Sequence, residues 1–193
     1  MGRPPLVSRE AIILAAREVF SSEGLKASIR DVAAVAGISE AAIFKRFTTK
    51  AALIVAALAP TPPHTAAILA PLDGTDLRRG LSEVMQNIVS YFRVALPMIL
   101  PVIAQPDVGI KAFLGELGEN PASLINDALA AKLAALANSG AIRAVQPFAA
   151  AGLIVATAHS LVLFEVMGLH GGQSPPGVID AMIDTLWQGI APA

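Results

Sequence analysis

The chain has 193 residues, 54% of them apolar and 15% charged, with a net charge of −1. That length suits one domain or two small ones with a substantial core, and so apolar a chain is expected to hide surface in an oligomer, around a ligand or in a membrane. The absence of cysteine excludes a disulfide framework, a cysteine-built zinc site and a thiol nucleophile, while near-neutral charge argues against a general polyanion binder. The distribution says more than the sum. Residues 1–58 hold eight Lys/Arg against five Asp/Glu, and residues 59–193 hold six against ten. A basic N-terminal unit on an acidic remainder is the balance expected of a nucleic-acid reader with a separate second domain. The start, Met1-Gly-Arg-Pro-Pro-Leu6, lacks the charged-then-apolar pattern of a signal peptide, and Leu6 breaks the myristoylation pattern, so the expected location is cytoplasmic.

The pattern is all-helical, without a convincing alternating strand and without a repeat. A first helix is predicted from about Ser8 to Ser22, with Ile12, Ile13, Ala16, Val19 and Phe20 as its core stripe. Ser28 and Asp31 have the S-x-x-D spacing that caps a helix start. Ile29, Val32, Ala33 and Ala36 then share one face. Gly37 stops that helix, because glycine tolerates the left-handed conformation of a helix end. Ile38 plugs the turn, and Ser39 caps the next helix. Ile43 and Phe47 give this second helix its buried side, while Glu40, Ala41, Lys45 and Arg46 face away. Ala33 is small enough for two helices to cross closely. These are the parts of a helix–turn–helix. A fourth helix begins near Thr48–Lys50 and runs through Leu58, and Pro60, Pro62 and Pro63 then break the chain. The predicted domains are therefore 1–58 and 59–193, with a short helical piece near Ala66–Leu69 blurring the join.

The second domain restarts at Thr75-Asp76 with a long helix carrying Leu77, Leu81, Val84, Met85, Ile88, Tyr91 and Phe92. Pro97, Pro101 and Pro106 are expected to cut the following apolar run into short or kinked pieces. A loop around Gly115–Gly118 precedes a helix from about Pro121 to Ala137, ended by Asn138-Ser-Gly140. A very apolar helix follows, from about Pro147 to Met167, then a loop from Gly168 to Pro176 and a last helix from Gly177 to about Ile190. Phe148 to Met167 is long enough for a membrane span, yet it contains Thr157, His159, Ser160 and Glu165. Ionisable groups are costly inside a bilayer, and no second comparable segment stands out, so a buried or interface helix is the preferred reading.

The segment from Ser28 to Lys50, with Arg9–Phe20 and Glu23-Gly-Leu25 upstream and Phe47–Leu53 downstream, resembles the DNA-binding motif of the TetR (tetracycline repressor) family of bacterial transcriptional regulators. The resemblance covers about the first third of the chain. It departs at Phe44, where the family often has a tyrosine whose hydroxyl touches a DNA phosphate. The resemblance implies an N-terminal DNA-binding domain and a C-terminal helical domain for effector binding and dimerisation. It also implies a homodimer on a palindromic operator, repression as the default, and no cofactor.

Within that frame the candidate DNA contacts are Ser28, Arg30, Glu40, Ala41, Ala42, Phe44, Lys45, Arg46, Thr49 and Lys50. Arginine pairs with both acceptors of guanine, and lysine reaches the same edge or a phosphate. Glu40 has two readings, stabilising a helix N-terminus or accepting from cytosine N4. Ala41 and Ala42 permit close approach, and Lys50 reads as a phosphate contact. Ser28 and Thr49 combine capping with a phosphate bond, and Arg3 is either a minor-groove arm or a loose tail.

The candidate effector pocket draws on Met85, Tyr91, Phe92, Met98, Phe113 and His159, with Phe164 and Met167 nearby. Gln86, Asn87, Arg93 and Asn126 are the other polar groups available to orient a ligand, and scarce charge there implies a mainly apolar one. The same residues equally make a packed core. Val178, Ile179, Met182, Ile183, Leu186, Trp187 and Ile190 give the last helix a wide apolar face, and the helix before it is apolar nearly all round. Half of a four-helix dimer interface is one reading, with Leu161, Phe164, Ile183, Leu186 and Trp187 as its residues; an ordinary single-chain core is the other. No P-loop, dinucleotide fingerprint or catalytic triad is present, and His64, His159 and His170 are too scattered for a metal site, so the chain is expected not to be an enzyme. The rival reading is a helical small-molecule-binding protein with a vestigial DNA-binding unit.

Overall fold

Side-chain caps, more than helix propensity, set where the helices begin. The computed structural model describes residues 7–104, 113–115, 119–143, 145–172 and 174–190. Among them the helices are α1 (Arg9–Ser22), α2 (Ile29–Ala36), α3 (Glu40–Phe44), α4 (Lys50–Leu58), α5 (Thr65–Leu69), α6 (Leu77–Ile103), α7 (Pro121–Asn138), α8 (Pro147–Val166) and α9 (Val178–Ile190). A 3-10 turn, Ala70–Asp73, follows α5, and another, Leu169–Gly172, follows α8. Ser8, Ser28, Ser39, Thr49, Asn120 and Gln146 each accept a backbone N–H of the helix they precede, removing donors the helix cannot satisfy itself. Arg3 and most of the 115–118 loop lie outside the described residues.

The chain forms two compact units, one of residues 1–60 with 98–118, the other of 61–97 with 119–193. In the first, Ile12, Ala16, Val19, Phe20, Val32, Ile43, Phe47 and Leu53 are buried together. Val102 and Phe113 belong to the same cluster, and Ile99 and Ile103 pack against it. The first unit therefore extends past the proline break at 60–63 and takes in chain that returns forty residues later. Met98 and Phe113 sit in this unit, and Phe113 is a core residue there, which removes it from any effector pocket in the second unit.

The helix α6 begins in the second unit and runs unbroken through Pro97 and Pro101 into the first, against the expectation of short pieces. Both prolines lie on an exposed face, four residues apart, where a gently curved helix tolerates a missing backbone bond better than on its packed side. Gly80 admits the close pass of this helix over the 3-10 turn: a Cβ there would lie 2.6 Å from the Pro71 carbonyl oxygen. Ion pairs join the helices, Arg78 to Asp184 (2.5 Å), Arg93 to Glu165 (2.8 Å) and Lys132 to Asp73 (2.5 Å). By length and composition alone both α6 and α8 are long and apolar enough to cross a membrane, so the chain has two such segments where the sequence reading counted one. Each carries one member of the Arg93–Glu165 pair.

Candidate nucleic-acid interface

The turn between α2 and α3 is fixed at both ends. Ser28 Oγ accepts from Asp31 N at 3.2 Å, and Asp31 Oδ2 accepts from Ser28 N at 2.8 Å, a complete capping box. Gly37 ends α2 at φ 67°, ψ 30°, in the region where a Cβ is strained. The Ile38 N–H donates to the Ala33 carbonyl at 3.1 Å, satisfying an orphan acceptor at the helix end. Ala33 is 5% exposed, consistent with a close crossing.

None of the ten predicted DNA-contact residues is buried: Ala42, Arg46 and Lys50 are half-buried and the others exposed. α3 is shorter than predicted, ending at Phe44 with Lys45 as its cap. The Arg46 N–H bonds to Ile43 O at 2.9 Å, the tighter i+3 spacing of a closing turn, so Lys45 and Arg46 leave from the helix end and not from its side. Among the described residues, no carboxylate lies within ion-pair distance of Arg30, Lys45, Arg46 or Lys50; every such pair is in the second unit.

Two serine-type caps differ in what they leave free. Thr49 Oγ1 accepts from Ala52 N at 3.0 Å and keeps its proton for an outside acceptor. The Ser28 hydroxyl donates to Asp31 Oδ2 at 2.6 Å, so its proton is already committed. That bond, then the Ser28 N–H, and more weakly the Arg30 and Lys50 charges, hold the Asp31 carboxyl below its usual range. Phe44, 45% exposed, presents a bare ring where a hydroxyl would otherwise stand.

Sequence reasoning missed two arginines. The Arg9 guanidinium lies over the Phe47 ring, 4.9 Å from its centroid, which fixes a cation on the unit's surface. Arg17 Nε donates to the Ala57 carbonyl at 2.8 Å, tying α1 to the last turn of α4. Neither has a local spacing signal, because both bonds cross between helices.

Residues 12–57 match the family described as "Bacterial regulatory proteins, tetR family". The chain carries a TetR-family helix–turn–helix domain. The fold agrees along nearly the whole chain. A Mesorhizobium loti MAFF303099 protein described as a TetR-family transcriptional regulator is 19% identical, with TM-score 0.66 over 94% of this chain and 96% of that one. A TetR-family transcriptional regulator from Pectobacterium atrosepticum gives 20%, 0.59, 98% and 93%. A flavonoid-responsive regulator, FrrA, gives 18%, 0.58, 95% and 96%. No curated protein matches this chain significantly. Like the two TetR-family structures, it is helical, without strands among the described residues, and its helix–turn–helix domain precedes a helical second unit.

In that second unit an open cleft of about 510 Å³ is lined by Met85, Leu153, Thr157, Met182, Leu186 and Gly189, among others. Of the predicted pocket residues only Met85 lines it. Phe92 is buried and meets the His159 ring edge-on at 5.1 Å. Tyr91 Oη donates to Thr61 O at 3.2 Å, and burial pushes its hydroxyl up to about 12. Asn87 and Arg93 are bonded to Ile68 O and Glu165. Of the predicted interface residues, Ile183 is 1% exposed within a single chain and has no surface left for a partner. Leu161, Leu186 and Trp187 are half-buried, and Phe164 is 40% exposed.

Proposed function

We propose that the protein is a DNA-binding transcriptional regulator that works as a homodimer, represses from a palindromic operator, and is released by a mainly apolar small molecule. The observation that carries the DNA reading is the set of four cations, Arg30 and Lys45 exposed and Arg46 and Lys50 half-buried, with no carboxylate in ion-pair reach among the described residues, around a fully capped turn. Such charges are costless to bring to phosphates, since no internal pair is broken. Lys50 and Thr49 open α4 and anchor backbone; Arg30, the Ala41–Ala42 surface and the α3 end at Lys45–Arg46 meet base edges; Glu40 and Phe44 complete the contact. Ser28 positions Arg30 through the capping box.

The homodimer is supported by the apolar side chains that α8 and its C-cap leave exposed, Leu153 at 62%, Phe164 at 40% and Met167 at 61%, more than an isolated chain readily keeps in water. Leu161, Leu186 and Trp187 are the half-buried residues placed to join them. The apolar lining of the Met85 cleft supports the effector, and the flavonoid-responsive regulator of the same fold makes a small planar molecule a reasonable first class to test. A ligand alters DNA binding only if it prefers one of two states, so release requires weaker affinity for the DNA-bound form. The working compartment is the cytoplasm, where the operator is. Selection of bound fragments from source genomic DNA, then salt titration on the recovered site, tests the reading. Recovery of no palindromic sequence would overturn it.

A further inference from the structure

A second open groove, about 470 Å³, lies between α7 and α8 and shares no lining residue with the Met85 cleft. One side is Ser123, Asn126 and Asp127 of α7; the other is Phe148, Gly152 and His159 of α8, with Val155 and Ala156 as apolar floor. The spacings put each set on one helical face. Asn126 is the informative member. It is only 8% exposed, yet no hydrogen bond satisfies its amide among the described residues, and its open atoms face the groove. Its amide atoms reach solvent through the groove, since among the described residues no buried side-chain nitrogen or oxygen lacks a partner, and there a ligand can replace water. Gly152 keeps the space beside it clear: a Cβ there would lie 3.7 Å from Asn126 Oδ1.

The charge of the groove narrows the ligand. Its lining includes no Lys or Arg, and Arg78, Arg79, Arg93 and Lys132 of the same unit are each bound to a carboxylate elsewhere. Asp127 is exposed and has no ion-pair partner among the described residues. Burial holds the His159 imidazole below its ordinary value, so near neutrality it offers one donor and one acceptor and adds no positive charge. Phe148, 59% exposed, supplies a free aromatic face.

We propose that this groove is a separate small-molecule site selective for a cationic aromatic amine, the ammonium on Asp127, the ring against Phe148, and a polar ring substituent on Asn126 and His159. An anionic analogue would place like charge beside Asp127. A neutral one would leave that carboxylate without its ion pair, which at an exposed position is worth about two- to fivefold in affinity.

Tyramine, neutral 4-ethylphenol and anionic 4-hydroxyphenylacetate share a phenol ring and differ in charge. Calorimetry on the full chain, with NMR of the Asn126 amide and the His159 ring, should give tyramine about two- to fivefold tighter than 4-ethylphenol, with the anion weakest and both groups shifting. Asp127→Asn, at an exposed position that leaves the fold intact, should erase the preference while retaining the phenol. Gly152→Leu should fill the groove and remove binding of all three. Equal binding of the three probes, a preference surviving Asp127→Asn, no binding of tyramine, or shifts confined to Thr157 and Leu186 would each overturn the proposal. DNA affinity enters none of these readouts, so the test stands apart from the regulator reading.

Discussion

Phe113→Ala should cripple the DNA-binding unit, although residue 113 lies far beyond the proline break that ends the motif. Phe113 is 2% exposed and shares a buried cluster with Phe20, Ile54 and Val102. Truncating such a side chain removes its transfer energy and leaves a cavity, together about 3–5 kcal/mol. A domain of this size has about 5–15 kcal/mol in all, so the first unit loses a large share of its stability. Phe113→Leu keeps most of the volume and should cost about 1.5 kcal/mol or less. Hydrogen exchange resolves the location of the damage: protection should fall in α1, α2 and α4 while α8 keeps its own. Affinity for a selected operator, followed by fluorescence anisotropy across temperature, should collapse at a lower temperature in the alanine variant. If Phe113→Ala leaves exchange in α1–α4 unchanged and lowers protection only in the second unit, the return of 98–118 to the first core is wrong.

Four further outcomes can be checked directly. Arg46→Ala should cost about 1–3 kcal/mol on the preferred site and relax one base position, as read by competition among single-base operator variants. Lys50→Ala should instead weaken all sequences alike and reduce the salt slope by about one unit. Trp187→Glu should give monomers in sedimentation, since a charge in the subunit contact has no partner there; an intact dimer places the contact elsewhere. The Glu165 carboxyl is held down to about 2, chiefly by Arg93 and then by Ser174, against burial. Its folded value lies below its unfolded one, so its contribution is complete above about pH 4.5 and lost as pH falls toward 2. The ceiling is about 3 kcal/mol, and because Arg93 is half exposed, screening brings the expected figure nearer 1. Urea unfolding of Glu165→Gln should lack that part of the acid slope.

The helix–turn–helix was legible because its signals are local. The Ser28–Asp31 box, Gly37 and the Ser39 cap each act within four residues, a distance over which sequence spacing is geometry. Even there, α3 stopping at Phe44 was not legible, since Ile43 and Phe47 keep helical spacing through a closing turn. Beyond the helix–turn–helix the deciding contacts are between elements distant in sequence. Nothing near Phe113 or Ile183 says which apolar cluster each joins, so a pocket residue and an interface residue looked the same as core residues. Prolines misled for a related reason: whether one breaks a helix depends on its tertiary surroundings, and Pro97 and Pro101 both lie on an exposed face. Asn126 and His159 stood out in the sequence as groups to orient a ligand, but that they line one groove was not legible because they come from two helices.

The two units also divide their charges differently, and that division predicts where salt acts. Arg30, Lys45, Arg46 and Lys50 have no internal partner, whereas the second unit's ion pairs join α6 to α8 and α9 and a 3-10 turn to α7. Lys50 on phosphate gives each reader a slope near −0.9, so raising salt from about 50 to 200 mM should weaken operator binding by about three- to fourfold per reader. The second unit should hardly notice, because exposed pairs contribute little and screening removes little. Exchange protection of α8 and anisotropy of a labelled operator, measured on one sample across that range, separate the two effects. Operator affinity that stays flat while α8 loosens would mean the unpaired cations of the first unit do not meet phosphate, and the DNA reading would fail with them.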